Sequence, residues 1–144
     1  MYNHIVVSVD RSSDSQKAVA AAAELGAKFG SDVLVVHAPD IPRAVVTGHG
    51  AVPASDTGME TEAEAQQMVD EAVAELERAG VRVTGQALTG GHAIASEILA
   101  AAERHQADLI VLGSRGMSYI SEFMLGSVAH KVIHLAKCPV LLAR

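Results

Sequence analysis

Four short apolar runs, mostly β-branched, set the limits on how this chain folds: residues 4–9, with Ile5-Val-Val-Ser-Val9; Val33-Leu-Val-Val36; Leu109-Ile-Val-Leu112; and Pro139-Val-Leu-Leu-Ala143. Each is too short for a helix, and the first three are apolar almost without alternation, the pattern of strands buried on both faces. Pro139 stands at the opening of the last run, a position a strand tolerates.

Helical spacing fills the gaps between them. Ala18, Ala22, Leu25 and Phe29 recur on one face after an Asp- and Ser-rich turn at 10–15, and Gly30 is a stop. Ala65, Met68 or Val69, Ala72, Leu76 and Ala79 form a second face that ends at Gly80; Ile94, Ile98 and Ala101 a third, entered through Gly90-Gly91; Val128, Val132 and Leu135 a fourth. Val81, Val83 and Gly85 alternate with Arg82, Thr84 and Gln86, a period of two that suits a half-exposed strand near a sheet edge. Residues 39–58, with three prolines and three glycines, read as a long loop, and loops of that length in compact domains are commonly functional. Five strands alternating with four helices argue for one α/β domain over residues 1–144, an open five-stranded parallel sheet with helices on both faces.

The strongest functional signal lies after the fourth run. Gly113-Ser-Arg-Gly116 follows it directly, and Gly126-Ser127 comes after nine intervening residues, at the start of a helical pattern. Two glycine-bearing turns, one closing a strand and one opening a helix, bring bare backbone N–H groups against an anion, because a Cβ would block the approach. The start of a helix adds a partial positive charge.

This G-x2-G-x9-G-[S/T] spacing resembles the nucleotide-binding signature of the universal stress protein family, in its ATP-binding branch. The resemblance spans nearly the whole chain. Ile5-Val-Val-Ser-Val-Asp10 with Ser12 resembles the family's first strand with its acidic end, and Lys137-Cys-Pro139-Val-Leu-Leu-Ala its last. The resemblance implies a Rossmann-like sheet of strand order 3-2-1-4-5, in which strands 1 and 4 are neighbours where the winding reverses. Ligands of open α/β sheets bind outside the carboxyl ends of the strands at such a point, so Asp10 and Gly113 would converge there. It also implies ATP with Mg²⁺ as the ligand and a homodimer paired through Val140, Leu141 and Leu142 at an apolar sheet edge.

The site expected from these motifs comprises Asp10, Val36, Pro39, Gly113, Ser114, Arg115, Gly116, Gly126, Ser127, Val128 and Ala129. Asp10 is placed at adenine or ribose, with capping of the first helix as its structural alternative. Val36 resembles the residue whose backbone meets adenine in the family, and Pro39 walls the same pocket. Ser127 either binds phosphate, caps the helix, or does both. Arg115 either neutralises phosphate or forms a surface ion pair. Val128 and Ala129 offer backbone N–H groups, and Val128 also fits a core pattern. Arg11 stands where the family has Gly, and contacts phosphate, narrows the pocket or points to solvent. Valine at Gly113 or Gly126 is expected to abolish binding while the fold survives.

Composition narrows the function classes. A net charge of −6 disfavours general binding to a phosphate backbone, and 3% aromatic residues leave few stacking platforms for single strands, so nucleic acid is not an expected partner. No apolar stretch approaches the length of a membrane span, the start lacks a basic signal-peptide region, and Cys138 stands alone, which together favour the cytoplasm. The histidines at 4, 37, 49, 92, 105, 130 and 134 are scattered and read as surface or boundary residues, with no metal site expected. There is no GxxxxGK[ST] loop and no GxSxG elbow. A pocket that grips phosphates without a placed base binds ground and transition states alike. With these classes set aside, the resemblance implies a nucleotide-responsive regulatory or stress-survival factor. A slow ATPase or self-phosphorylating enzyme is one alternative, and a binding module for AMP or cyclic AMP is another.

Overall fold

The computed structural model describes residues 1–39, 60–89, 92–116 and 124–144. The strands are β1 (His4–Ser8), β2 (Asp32–His37), β3 (Arg82–Ala87), β4 (Leu109–Gly113) and β5 (Val140–Ala143). The helices between them are α1 (Ser13–Phe29), α2 (Glu62–Arg78), α3 (Ile94–Arg104) and α4 (Ser127–Leu135). All strand pairs are parallel, in the order β3-β2-β1-β4-β5. The doubly wound sheet is the one expected, with β3 at one edge and β5 at the other. Most of the loop expected at 39–58, and Gly90-Gly91, lie outside the described residues.

Strand alternation divides the core in two. Ile5, Val7, Val33, Val35, Leu109 and Val111 face α1 and α2, where they meet Ala18, Ala22, Val69 and Leu76. Val6, Val36, Ile110 and Leu112 face the other way and meet Ile98 and Ala101 of α3 with Ala129 and Val132 of α4. Both faces of the three central strands are therefore covered, which is why their sequences hold no polar alternation.

Local chemistry fixes the helix ends. Ser12 caps α1, its side chain accepting from Ser15 N–H at 3.2 Å, so the capping role open to Asp10 falls to its neighbour. Thr61 and Glu64 form a capping box at α2. Gly30 closes α1 at φ 66°, a left-handed turn that glycine adopts without strain. Two apolar residues sit differently from their sequence pattern. Leu135 is 62% exposed, because α4 is short and buries Ala129 and Val132 instead. Phe29 lies at the rim in edge contact with Tyr2.

Candidate functional site

β1 and β4 are neighbours, and the connections leaving their carboxyl ends run to opposite faces of the sheet. The crevice this opens, of about 600 Å³, is lined by Asp10, Gly113, Ser114, Arg115, Gly116, Gly126, Ser127, Val128 and Ala129, nine of the eleven residues singled out in the sequence. The volume is in the range of small-molecule sites. Val36 and Pro39 are not in the lining. The Val36 carbonyl accepts from Val9 N–H at 2.9 Å, which closes the end of β2 against β1, and the wall there is made by His37 and Ala38.

The two glycine turns are in contact. Gly126 N–H donates to the Ser114 carbonyl at 2.8 Å, and Ser114 N–H donates to the Ala143 carbonyl of β5 at 2.8 Å. A Cβ at Gly126 would lie 3.2 Å from the Ser114 carbonyl oxygen and 3.3 Å from Arg115 Cα, so glycine is what lets α4 start against the turn. Gly126, not Ser127, is the N-cap, and no side chain caps the helix. His130 N–H makes a helical bond to the Gly126 carbonyl at 2.9 Å, which leaves the amides of Ser127, Val128 and Ala129 ahead of it as the donors a helix start presents.

Asp10 faces this cradle from the end of β1. Its Oδ1 accepts from Ser12 N–H at 2.7 Å, and its Oδ2 lies 3.5 Å from where a Cβ of Gly116 would stand. Asp10 N–H is bonded to the Ser15 hydroxyl at 2.9 Å, so the loop is fixed before any ligand arrives.

Gly113 has a role other than the one expected. A Cβ there would meet Asp14 Cβ at 2.9 Å, the Asp14 carbonyl carbon at 3.0 Å and Ser15 N at 3.1 Å. Its missing side chain makes room for the first turn of α1, so the expectation that the fold survives valine at Gly113 is corrected: this glycine is needed for packing, in addition to its place in the crevice lining.

Asp14, which sequence patterning treated only as part of a turn, is 2% exposed. It accepts from the Ser114 hydroxyl at 3.1 Å and from Arg115 at 3.1 and 3.4 Å. These donors, Arg115 foremost, hold its carboxyl below the usual carboxylate range against the opposing effect of burial. Arg115 thus forms the ion pair named as its alternative, although with a buried carboxylate. Arg11 turns to the start of α2, 3.6 Å from Glu60 and 3.9 Å from Glu64.

His37 corrects the reading of the histidines as boundary residues. It is 5% exposed, with Nδ1 2.7 Å from the Val9 carbonyl and Nε2 2.7 Å from Glu60. A single histidine on an apolar strand carries no signal in the sequence that would separate it from a surface one. Lys131, also in the lining, was missed because an exposed lysine on a helix reads as an ordinary solvated charge. Cys138 is half-buried, and burial raises its thiol above the usual range. Among the described residues no helix is long and apolar enough to cross a membrane, and no three His, Cys, Asp or Glu side chains gather as a metal site.

A parallel sheet with a crevice at its switch point, walled by a strand-end carboxylate, a glycine turn and an uncapped helix start, places the chain among the doubly wound α/β domains. The chain belongs to the universal stress protein family, whose model matches residues 1–144. It is similar to the universal stress protein YxiE of Bacillus subtilis, at 33% identity over 150 aligned residues that cover 100% of both. Among solved structures it is similar to the universal stress protein of Archaeoglobus fulgidus in complex with dAMP, at 26% identity and a TM-score of 0.71, covering 99% of this chain and 98% of that one. It is also similar to a universal stress protein in complex with cAMP, at 26% identity and a TM-score of 0.74, covering 99% and 97%.

Proposed function

We propose that this chain binds ATP, with Mg²⁺, in the crevice between the ends of β1 and β4, and acts as a nucleotide-responsive regulatory factor in stress survival. The observation that carries the reading is the contact between the Gly113–Gly116 turn and the start of α4, directly opposite Asp10. Amides of Ser127, Val128 and Ala129 receive phosphate oxygens. Asp10 accepts hydrogen bonds from the nucleoside, beside the wall of His37 and Ala38. Mg²⁺ would be held largely by the phosphates and water, with the Ser127 hydroxyl in the lining an oxygen donor of the hard type it takes.

Calorimetry on nucleotide-free protein is expected to show one Mg-ATP site per chain, and no heat at millimolar ATP would overturn the reading. Asp10→Ala is expected to weaken binding by about 1–3 kcal/mol, the scale of a hydrogen bond to a charged group, with a smaller effect on melting temperature. A large drop in melting temperature at unchanged affinity would make Asp10 structural. The solved relatives with dAMP and cAMP favour a second reading, a module for AMP or cyclic AMP. The ranked affinities of the three nucleotides decide between them.

The same reading includes a homodimer through β5. The strand is a sheet edge, Val140, Leu141 and Leu142 are apolar, and Leu141 is 37% exposed. An uncovered apolar edge invites pairing with a second chain. Light scattering is expected to report a dimer at micromolar concentration, and Leu141→Lys a monomer; a dimer that survives the substitution would place the interface elsewhere.

A further inference from the structure

We infer that Lys131 is the cation that meets the outer phosphates, and that it sets a preference of this crevice for nucleoside polyphosphates over monophosphates and cyclic nucleotides. The inference rests on the nucleotide reading above and names the residue behind its specificity.

The sequence leaves Arg115 either facing phosphate or in an ion pair, and its guanidinium is turned onto Asp14 at 3.1 and 3.4 Å. Asp14 is nearly sealed from water, and drawing Arg115 away would leave this carboxylate with only the Ser114 hydroxyl and the half-exposed Lys17 ammonium at 3.5 Å. Stripping a buried charge of its closest partner is unfavourable, so Arg115 serves the scaffold of the turn. Arg11 is likewise directed to Glu60 and Glu64.

Lys131 differs from both. It lies on α4 four residues after Ser127, on the same helix face, and it lines the crevice. Side chains on a helix lean towards its N-terminus, so Lys131 is directed towards the end of α4 that presents the amides of Ser127, Val128 and Ala129. Among the described residues it has no carboxylate partner: the ion-paired carboxylates Asp14, Asp32, Glu60, Glu64 and Glu103 are held by other cations. A phosphate seated on the helix-start amides is satisfied by them, and a longer chain carries further negative charge into the reach of the lysine. A monophosphate or a cyclic phosphate carries no such charge beyond the amides.

The test compares wild type, Lys131→Gln and Lys131→Arg by calorimetry with ATP, ADP, AMP and cyclic AMP, with melting curves as the control for folding. Wild type is expected to bind ATP more tightly than AMP or cyclic AMP. Lys131→Gln is expected to weaken ATP about tenfold, the loss of one charge-assisted contact, to weaken ADP less and to leave AMP and cyclic AMP within about twofold. Lys131→Arg should restore ATP binding, and the melting temperature should not move, as the side chain is exposed. Equal losses for all four nucleotides, unchanged ATP affinity in the Gln variant, or a wild type that prefers cyclic AMP would each overturn the inference. Wild type that binds ATP while Lys131→Gln binds it as well sinks this inference alone. Wild type that binds no nucleotide sinks the functional reading with it.

Discussion

Gly113→Val is expected to lower stability by about 3 kcal/mol, the upper range for overpacking, which is roughly 10 °C in melting temperature for a domain of this size. The atoms a Cβ would strike are the Asp14 Cβ, the Asp14 carbonyl carbon and the Ser15 nitrogen, at 2.9, 3.0 and 3.1 Å. Two of the three are backbone at the first turn of α1, and cannot rotate aside as a side-chain tip would. The valine must push α1 from the end of β4, and the Ser114 and Arg115 bonds to Asp14 go with it. Gly126→Val is the comparison. Its Cβ contacts are longer, at 3.2 to 3.4 Å, and they lie on the turn that faces the crevice. It is expected to cost less stability and to weaken nucleotide binding by at least tenfold, as the amides of α4 are displaced from the turn. Thermal unfolding followed by circular dichroism, with calorimetry on the same samples, separates the two. Equal melting temperatures for wild type and Gly113→Val would refute the packing role.

Asp14→Ala carries the second large effect. It removes an acceptor shared by the Ser114 hydroxyl and the Arg115 guanidinium. Arg115 retains some access to water, with 27% of its side chain exposed, so the loss is set below that of a fully buried pair. About 2 kcal/mol is expected, within the range for a hydrogen bond to a charged group, along with weaker nucleotide binding because the turn loses its anchor. The pH dependence gives an independent check. The folded-state pKa of Asp14 is lowered, so its contribution is fully present above the unfolded carboxylate value, about 3.9, and is lost as pH falls through the folded value. The stability gap between wild type and Asp14→Asn should therefore be constant near neutrality and shrink in acid below about pH 4. A gap that does not change with pH would mean that the charge of Asp14 contributes nothing.

How much of this was legible in the sequence depends on where each signal came from. β1, β2 and β4 were written in the chain because burial on both faces removes polar alternation, and β3 because an edge strand restores it. The glycine spacing located the turn and the start of α4. What the sequence withheld were pairings between distant residues. Asp14 sits in a stretch of Ser and Asp that any helix start would use, and only the sheet order brings Ser114 and Arg115 to it. His37 continues an apolar run without interruption, and its partner Glu60 precedes a different helix. Gly113 looked like a residue bared for a ligand because local sequence cannot say which element approaches a glycine. Leu135 fitted a helical stripe, yet α4 ends before anything covers it.

The bond between Ser114 and Asp14 joins residues one hundred positions apart. As the chain is synthesised, β1 and α1 emerge long before the strand that must lie beside them, so the crevice has only one of its walls until the final third of the chain arrives. Contacts of such wide sequence separation are gained late and slowly. The proposed nucleotide site is then complete only with the whole domain, and a nascent or truncated chain offers one wall at most. Nucleotide held between the two walls would in turn resist global unfolding, because opening either one releases it.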